Sequence, residues 1–179
     1  MSGARTLVFH VVAYLALVCE SASAYVFRDL RGFCAAPELS LFVVLYLGVS
    51  GRGGAVGLTA TALAIGYLRD LLVGAPRGVE ALAFALVALA ARALHGRVFL
   101  DRFGQLAVVC AAFTAFNAGL LTILGDSPLV PSLRIFPSLV VSALAVGPIA
   151  LRLLRRLDQR VAPEARTLTL GGDLGGAWR

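Results

Sequence analysis

The chain has 179 residues, 59% of them hydrophobic and only 15% charged, with a mean hydropathy of +0.88, which is more apolar than a soluble domain of this size needs. Its formal net charge of +6 rests on 16 basic residues, all arginine, scattered among short connections and a tail, which argues against nucleic acid as a partner. The three cysteines, Cys19, Cys34 and Cys110, form no CxxC or Cys/His ligand spacing, so a disulfide framework or structural zinc is unsupported and small buried apolar side chains are the expected reading.

The apolar residues fall in six blocks, with charges gathered between them, and about 20 apolar residues span about 30 Å of hydrocarbon. The first block, 6–27, ends at Arg28, Asp29 and Arg31 and predicts a membrane helix. A cleavable signal peptide competes, with Arg5 as its basic region, Leu7 to Val18 as its apolar core and Ala22-Ser23-Ala24 as its cleavage site. The second block, 37–50, is short: about fourteen residues rise only about 21 Å, so this helix must thin the bilayer, extend into its flanks or be partly re-entrant. Gly51-Arg52-Gly53-Gly54 ends it with turn chemistry.

The third block, 55–73, and the fourth, 79–94, flank Gly74-Ala75-Pro76-Arg77-Gly78 and predict a tight helical hairpin. A connection holding Arg92, His95, Arg97, Asp101 and Arg102 leads to the fifth block, 104–124. The polar turn Gly125-Asp126-Ser127-Pro128 precedes the sixth, 133–154, which carries Pro137 and Pro148. Residues 158–179 read as a cytoplasmic tail, expected to be disordered where Gly and polar residues follow Pro163. The expected fold is an all-α integral membrane protein, a bundle of six transmembrane helices occupying residues 1–157.

An N-terminus in the cytoplasm leaves Arg5, Arg52, Arg92, Arg97, Arg102, Arg152, Arg155, Arg156, Arg160, Arg166 and Arg179 inside. Those eleven stand against four outside, Arg28, Arg31, Arg77 and Arg134, with Arg69 inside a span and not counted. By the positive-inside rule both termini are cytoplasmic.

Ionisable residues within spans are the functional candidates, because a charge in hydrocarbon costs at least about 2.5–3.5 kcal/mol on insertion scales. They are Glu20, Arg69 and Asp70, with His10 as a titratable companion. His10 and Glu20 are separated by about 15 Å of helix rise and roughly 80° of rotation, too far to touch. Glu20 sits near the outer end, within reach of the interface. Asp70 is one turn from the outer end of its helix, where Arg77 is its expected partner, and Glu80 in the next helix opposes the positive end of the macrodipole. Small residues at close-packing intervals, Gly53 with Gly57, Ala62 with Gly66, and Gly78, Ala81, Ala85 and Ala88, allow helix backbones to approach. Thr114 and Asn117 are expected to add interhelical hydrogen bonds. GxSxG, HExxH, phosphate-binding glycine loops and paired catalytic carboxylates are all missing from the sequence, so a non-enzymatic protein with no cofactor and no metal is expected.

Three stretches resemble the family of the rod shape-determining protein MreD. Pro37-Glu38-Leu39 opens a short Leu/Val/Tyr span. Gly66-Tyr67-Leu68-Arg69-Asp70-Leu71-Leu72-Val73-Gly74-Ala75-Pro76-Arg77-Gly78 is similar to that family's G-x-x-x-D-L-x-x-G-x-P-x-G hairpin, with Arg69 where an apolar residue is expected. The third is a proline-containing last helix with a basic end. The resemblance runs over about residues 5 to 157. It implies a scaffold of the bacterial cell-elongation complex in the inner membrane, which binds MreC and couples MreB filaments to the peptidoglycan synthases RodA and a transpeptidase. It marks Pro37, Gly66, Asp70, Gly74, Pro76 and Gly78 as candidate partner-contact or hairpin residues. It also implies a fold similar to the substrate-binding subunits of energy-coupling-factor transporters, which makes a small-molecule-binding subunit of such a transporter the alternative function.

Overall fold

The structure, a computed structural model, describes residues 3–26, 38–51, 54–73, 78–95, 103–124 and 129–161. Every regular element among them is an α-helix: α1 (Gly3–Val26), α2 (Leu39–Ser50), α3 (Ala55–Val73), α4 (Val79–Ala93), α5 (Phe103–Leu124) and α6 (Leu129–Val161). Three of these helices, α3, α5 and α6, contain stretches long and apolar enough to cross a membrane (Ala55–Leu72, Phe103–Leu124 and Phe136–Val161); Leu7–Ser23 and Leu39–Ser50 are shorter apolar helices. Their outward faces are apolar too, with Leu7, Val11, Leu15, Leu71, Leu72, Val108 and Ile123 exposed. That pattern suits lipid rather than water, where large apolar patches are rarely left bare.

The shortest helix is the centre of the bundle. Ser40 through Val49 of α2 are all buried, and α2 packs against each of the other five helices. A helix apolar on every side belongs in a core. Neighbouring helices cover the flanks of this short segment. Gly51 closes α2 in the left-handed conformation (φ 63°), its N–H donating to the Gly48 carbonyl at 3.2 Å, a conformation that costs glycine nothing.

Side-chain contacts fix the direction of each helix. At one end, Glu20 late in α1 meets Ser40 at the start of α2, Glu38 just before α2 meets Arg69 late in α3, and Asp70 meets the first residues of α4. Asn117, in the second half of α5, reaches the same end through Glu38. At the opposite end the Tyr46 ring stacks on Phe9 of α1, with centroids 5.7 Å apart, and its hydroxyl donates to Asp158 of α6 at 2.8 Å. Arg152 of α6 lies over the Phe103 ring at the start of α5, 5.1 Å from its centroid, and His95 after α4 bonds the Val49 carbonyl at 2.8 Å. Successive helices therefore alternate in direction, and the beginning of α1 and the end of α6 lie at the same end.

Close backbone approach depends on specific glycines. A Cβ at Gly66 of α3 would lie 2.5 Å from the Ala81 Cα and 2.6 Å from the Glu80 carbonyl oxygen of α4, and one at Gly48 would lie 2.6 Å from the Ala91 Cβ. Gly147 of α6 packs equally tightly on Cys110 of α5, 2.6 Å from its Sγ by the same measure. The small-residue pattern therefore holds for Ala62, Gly66, Ala81, Ala85 and Ala88, which line buried contacts. It fails at Gly57 and at Gly78, where an added Cβ meets open space; the partner of Gly57 in the expected pair, Gly53, lies outside the described residues. The cysteine expectation is corrected in the same way: Cys110 is buried but Cys19 is exposed, its position on α1 falling beside rather than on the buried Phe9–Ala13–Leu17 stripe. Cys34 lies outside the described residues.

Gly66→Ala forces the α3 and α4 backbones apart and is expected to destabilise the bundle by about 1–3 kcal/mol, the usual cost of overpacking. Gly57→Ala is expected to be neutral within about 0.5 kcal/mol. Thermal unfolding of the two variants in detergent checks the ranking.

Candidate functional site

The end of the bundle where α1 finishes and α2 begins gathers most of the buried polar groups. Asp70 is the first to have a clear task. Its carboxylate, 1% exposed, accepts from the backbone N–H groups of Gly78 (2.8 Å), Glu80 (3.0 Å) and Ala81 (3.4 Å). It thus caps α4 from a neighbouring helix, setting a negative charge against orphan donors at a positive helix terminus. Gly78, the N-cap residue of α4, adopts φ 94°, a conformation that strains any other residue. Gly66, Asp70 and Gly78 therefore each have a distinct role in one hairpin: contact, cap and turn.

Arg69, adjacent in sequence, is the cation of the site. Its Nη2 donates to Glu38 Oε1 at 3.0 Å, and its Nη1 stands 3.6 Å from Glu80 Oε2, close enough for an ion pair but too long for a hydrogen bond. Its guanidinium also lies over the Phe84 ring, 5.4 Å from the centroid, a favourable placement for a desolvated cation. One arginine on α3 thereby joins the start of α2 to the first turn of α4. The second Glu38 oxygen accepts from Asn117 Nδ2 at 3.2 Å, which brings in α5. Glu20 brings in α1, accepting from the Ser40 N–H at 3.0 Å and the Ser40 hydroxyl at 2.9 Å. Five helices are tied together by five side chains and one hydroxyl. Arg69 Nη1, Glu80 Oε2, Asn117 Oδ1 and Thr114 Oγ1 stay buried without a hydrogen bond.

Several sequence expectations change. Arg77, expected opposite Asp70, lies outside the described residues; among the described residues Asp70 is bonded by backbone amides. Glu20, expected within reach of the interface, bonds Ser40. Asn117 makes an interhelical bond as expected; Thr114, fully buried, makes none. His10 is exposed on α1, far from Glu20. Of the family-derived candidates, Gly66, Asp70 and Gly78 meet in this hairpin, whereas Pro37, Gly74 and Pro76 lie outside the described residues. Glu38 was not singled out by its charge, although a lone carboxylate at the edge of an otherwise apolar block is a signal that a cation waits on another helix. The Tyr46–Asp158 bond at the other end was also not anticipated. Among the described residues, no group of three His, Cys, Asp or Glu side chains is placed to hold a metal ion.

Arg69→Met leaves Glu38 and Glu80 buried without their cation and is expected to destabilise the protein by about 3–5 kcal/mol, the usual cost of breaking a buried pair from one side. Adding Glu80→Gln to Arg69→Met removes one of the stranded charges and is expected to recover part of the loss. Thermal unfolding of both variants in detergent provides the comparison, and a double variant no more stable than Arg69→Met contradicts the pairing.

The sequence matches the model of the rod shape-determining protein MreD family over residues 2–153. No curated protein and no solved structure matches it. The match spans the whole helical bundle apart from the last turns of α6, including the Gly66–Gly78 hairpin and the polar cluster, and the chain belongs to the MreD family of rod shape-determining proteins.

Proposed function

We propose that this protein is a non-enzymatic scaffold of the cell-elongation machinery, embedded in the bacterial inner membrane by six crossings with both termini in the cytoplasm. It binds an MreC-like single-span protein and through it links cytoplasmic MreB filaments to RodA and a transpeptidase during peptidoglycan synthesis. The observation that carries this reading is the hairpin at the carboxylate end. Gly66, Asp70 and Gly78 hold α3 and α4 in one fixed geometry, as a docking surface requires and as the family's hairpin pattern leads one to expect.

The alternation of helix direction supports six crossings, with α2 and α4 short because neighbouring helices share the task of excluding lipid. The charge distribution supports the orientation, since the arginines at the end of α6 favour the cytoplasmic side. The bundle is then a single membrane domain resembling the substrate-binding subunits of energy-coupling-factor transporters, with residues 158–179 beginning the cytoplasmic tail. A solute-binding role is the weaker reading: of Glu20, Thr114 and Asn117, the polar groups such a site would use, Glu20 is taken up by Ser40 and the Asn117 amide nitrogen by Glu38, which leaves the Thr114 hydroxyl and the Asn117 amide oxygen.

A tagged chain is expected to co-purify with an MreC-like partner, and depletion in a rod-shaped host is expected to give round cells. Asp70→Ala is expected to lower recovery of the partner severalfold, while Glu164→Ala in the tail leaves it unchanged. Normal cell shape on depletion, or equal recovery with the two variants at equal expression, overturns the proposal.

A further inference from the structure

The arginine end of the bundle carries a surface that partner assembly at the carboxylate end leaves unused. α6 has 33 residues, about 50 Å of helix against about 30 Å of hydrocarbon. Counted from Phe136, where its apolar span begins, the hydrocarbon runs out after about 20 residues, near Arg155 and Arg156. The turns beyond lie at headgroup depth.

Those turns have two exposed rows. Ile149, Leu153 and Leu157 form an apolar row with exposures of 55%, 54% and 39%, continuous with the lipid-facing side of the helix. Arg152, Arg156 and Arg160 form a parallel row, all exposed. The buried stripe of the same helix, Ala143, Gly147, Leu151 and Leu154, ends in Asp158. Asp158 is fully buried and accepts from the Tyr46 hydroxyl. Among the described side chains it is the one carboxylate at this end, the other four (Glu20, Glu38, Asp70 and Glu80) being at the opposite end. Asp158 thus points to α2, and the exposed residues of these described turns, Arg152, Leu153, Arg156, Leu157, Gln159 and Arg160, include no carboxylate.

We propose that the C-terminal turns of α6 form a binding surface for anionic phospholipid headgroups, with Arg156 and Arg160 meeting the phosphates and Leu153 and Leu157 seated among the upper acyl chains. Two features favour a lipid over an acidic protein. The arginine row stands beside an apolar row that continues directly from the membrane-facing part of the helix, and long arginine side chains reach from hydrocarbon edge to phosphate without strain. The surface also lies where the negative potential of a cytoplasmic leaflet acts most strongly on basic residues. The inference rests on membrane insertion of α6 but on no protein partner.

The test uses the full chain, purified in detergent and offered phosphatidylglycerol in competition with phosphatidylcholine, with retained lipid read by native mass spectrometry. The wild type is expected to retain phosphatidylglycerol preferentially. Arg156→Gln with Arg160→Gln is expected to lower that preference by about fivefold per arginine removed, the size of one cation near an anionic surface, and Arg156→Lys with Arg160→Lys to restore most of it. Thermal unfolding in phosphatidylcholine nanodiscs, where the Gln variant is expected to match the wild type, separates lipid binding from folding. Equal retention of the two lipids by the wild type overturns the proposal, as does a Gln variant with undiminished preference. Loss of the MreC-like partner with lipid preference unchanged identifies an acidic protein as the occupant and also overturns it; loss of lipid preference with partner recovery intact leaves the scaffold function standing.

Discussion

Arg69 brings positive charge into a place where three carboxylates have been taken out of water. Glu38 lies at the start of the most buried helix and Glu80 in the first turn of α4, and each faces a different nitrogen of the same guanidinium. An isolated charge in such surroundings is expensive, and a buried pair broken from one side is more costly than no pair at all. Once Arg69 is in place, the ends of α2, α3 and α4 are joined, and Asn117 and Glu20 attach α5 and α1 through partners on or beside α2. Specific electrostatics thus holds one end of a bundle whose apolar exterior supplies little specificity, since lipid tails and leucine side chains are equally good neighbours.

The two ends are chemical opposites. One has carboxylates turned inward, neutralised by an arginine, a helix terminus and a hydroxyl. The other has arginines turned outward, and its one described carboxylate is withdrawn to Tyr46. This division gives the bundle a direction. On the proposed function, the rigid hairpin at the first end suits protein assembly and the basic surface at the second suits the cytoplasmic leaflet. Membership of the MreD family gives the asymmetry a context in rod shape determination.

Six helices were legible because apolar runs separated by Gly, Pro and Arg are what a membrane bundle requires of its sequence. The hairpin was legible too, since Gly66, Asp70 and Gly78 are constrained by backbone geometry and leave a spaced pattern. What was not legible is which residues meet across the bundle. Helix periodicity says little about α2, which is apolar all round, so neither its central position nor its brevity had a visible cause until its neighbours were known. Glu38 and Asp158 look like ordinary helix-end charges, and only the packing brings them to Arg69 and Tyr46. Arg69 itself departs from the family pattern, and its meaning depends on two carboxylates more than ten residues away in either direction. Gly57 shows the opposite failure: its spacing fits close packing but its side of the helix faces nothing.

The opposed ends and their proposed orientation are tested most directly by labelling single cysteines, in a background lacking Cys19, Cys34 and Cys110, with a membrane-impermeant thiol reagent on intact cells. Asp126→Cys, in the sequence between α5 and α6, is predicted to react from outside. Asp101→Cys, between α4 and α5, and Glu164→Cys in the tail are predicted to react only after the membrane is opened. Labelling of Asp126→Cys and Asp101→Cys from the same side contradicts the alternation of the helices, and labelling with the sides exchanged contradicts the orientation.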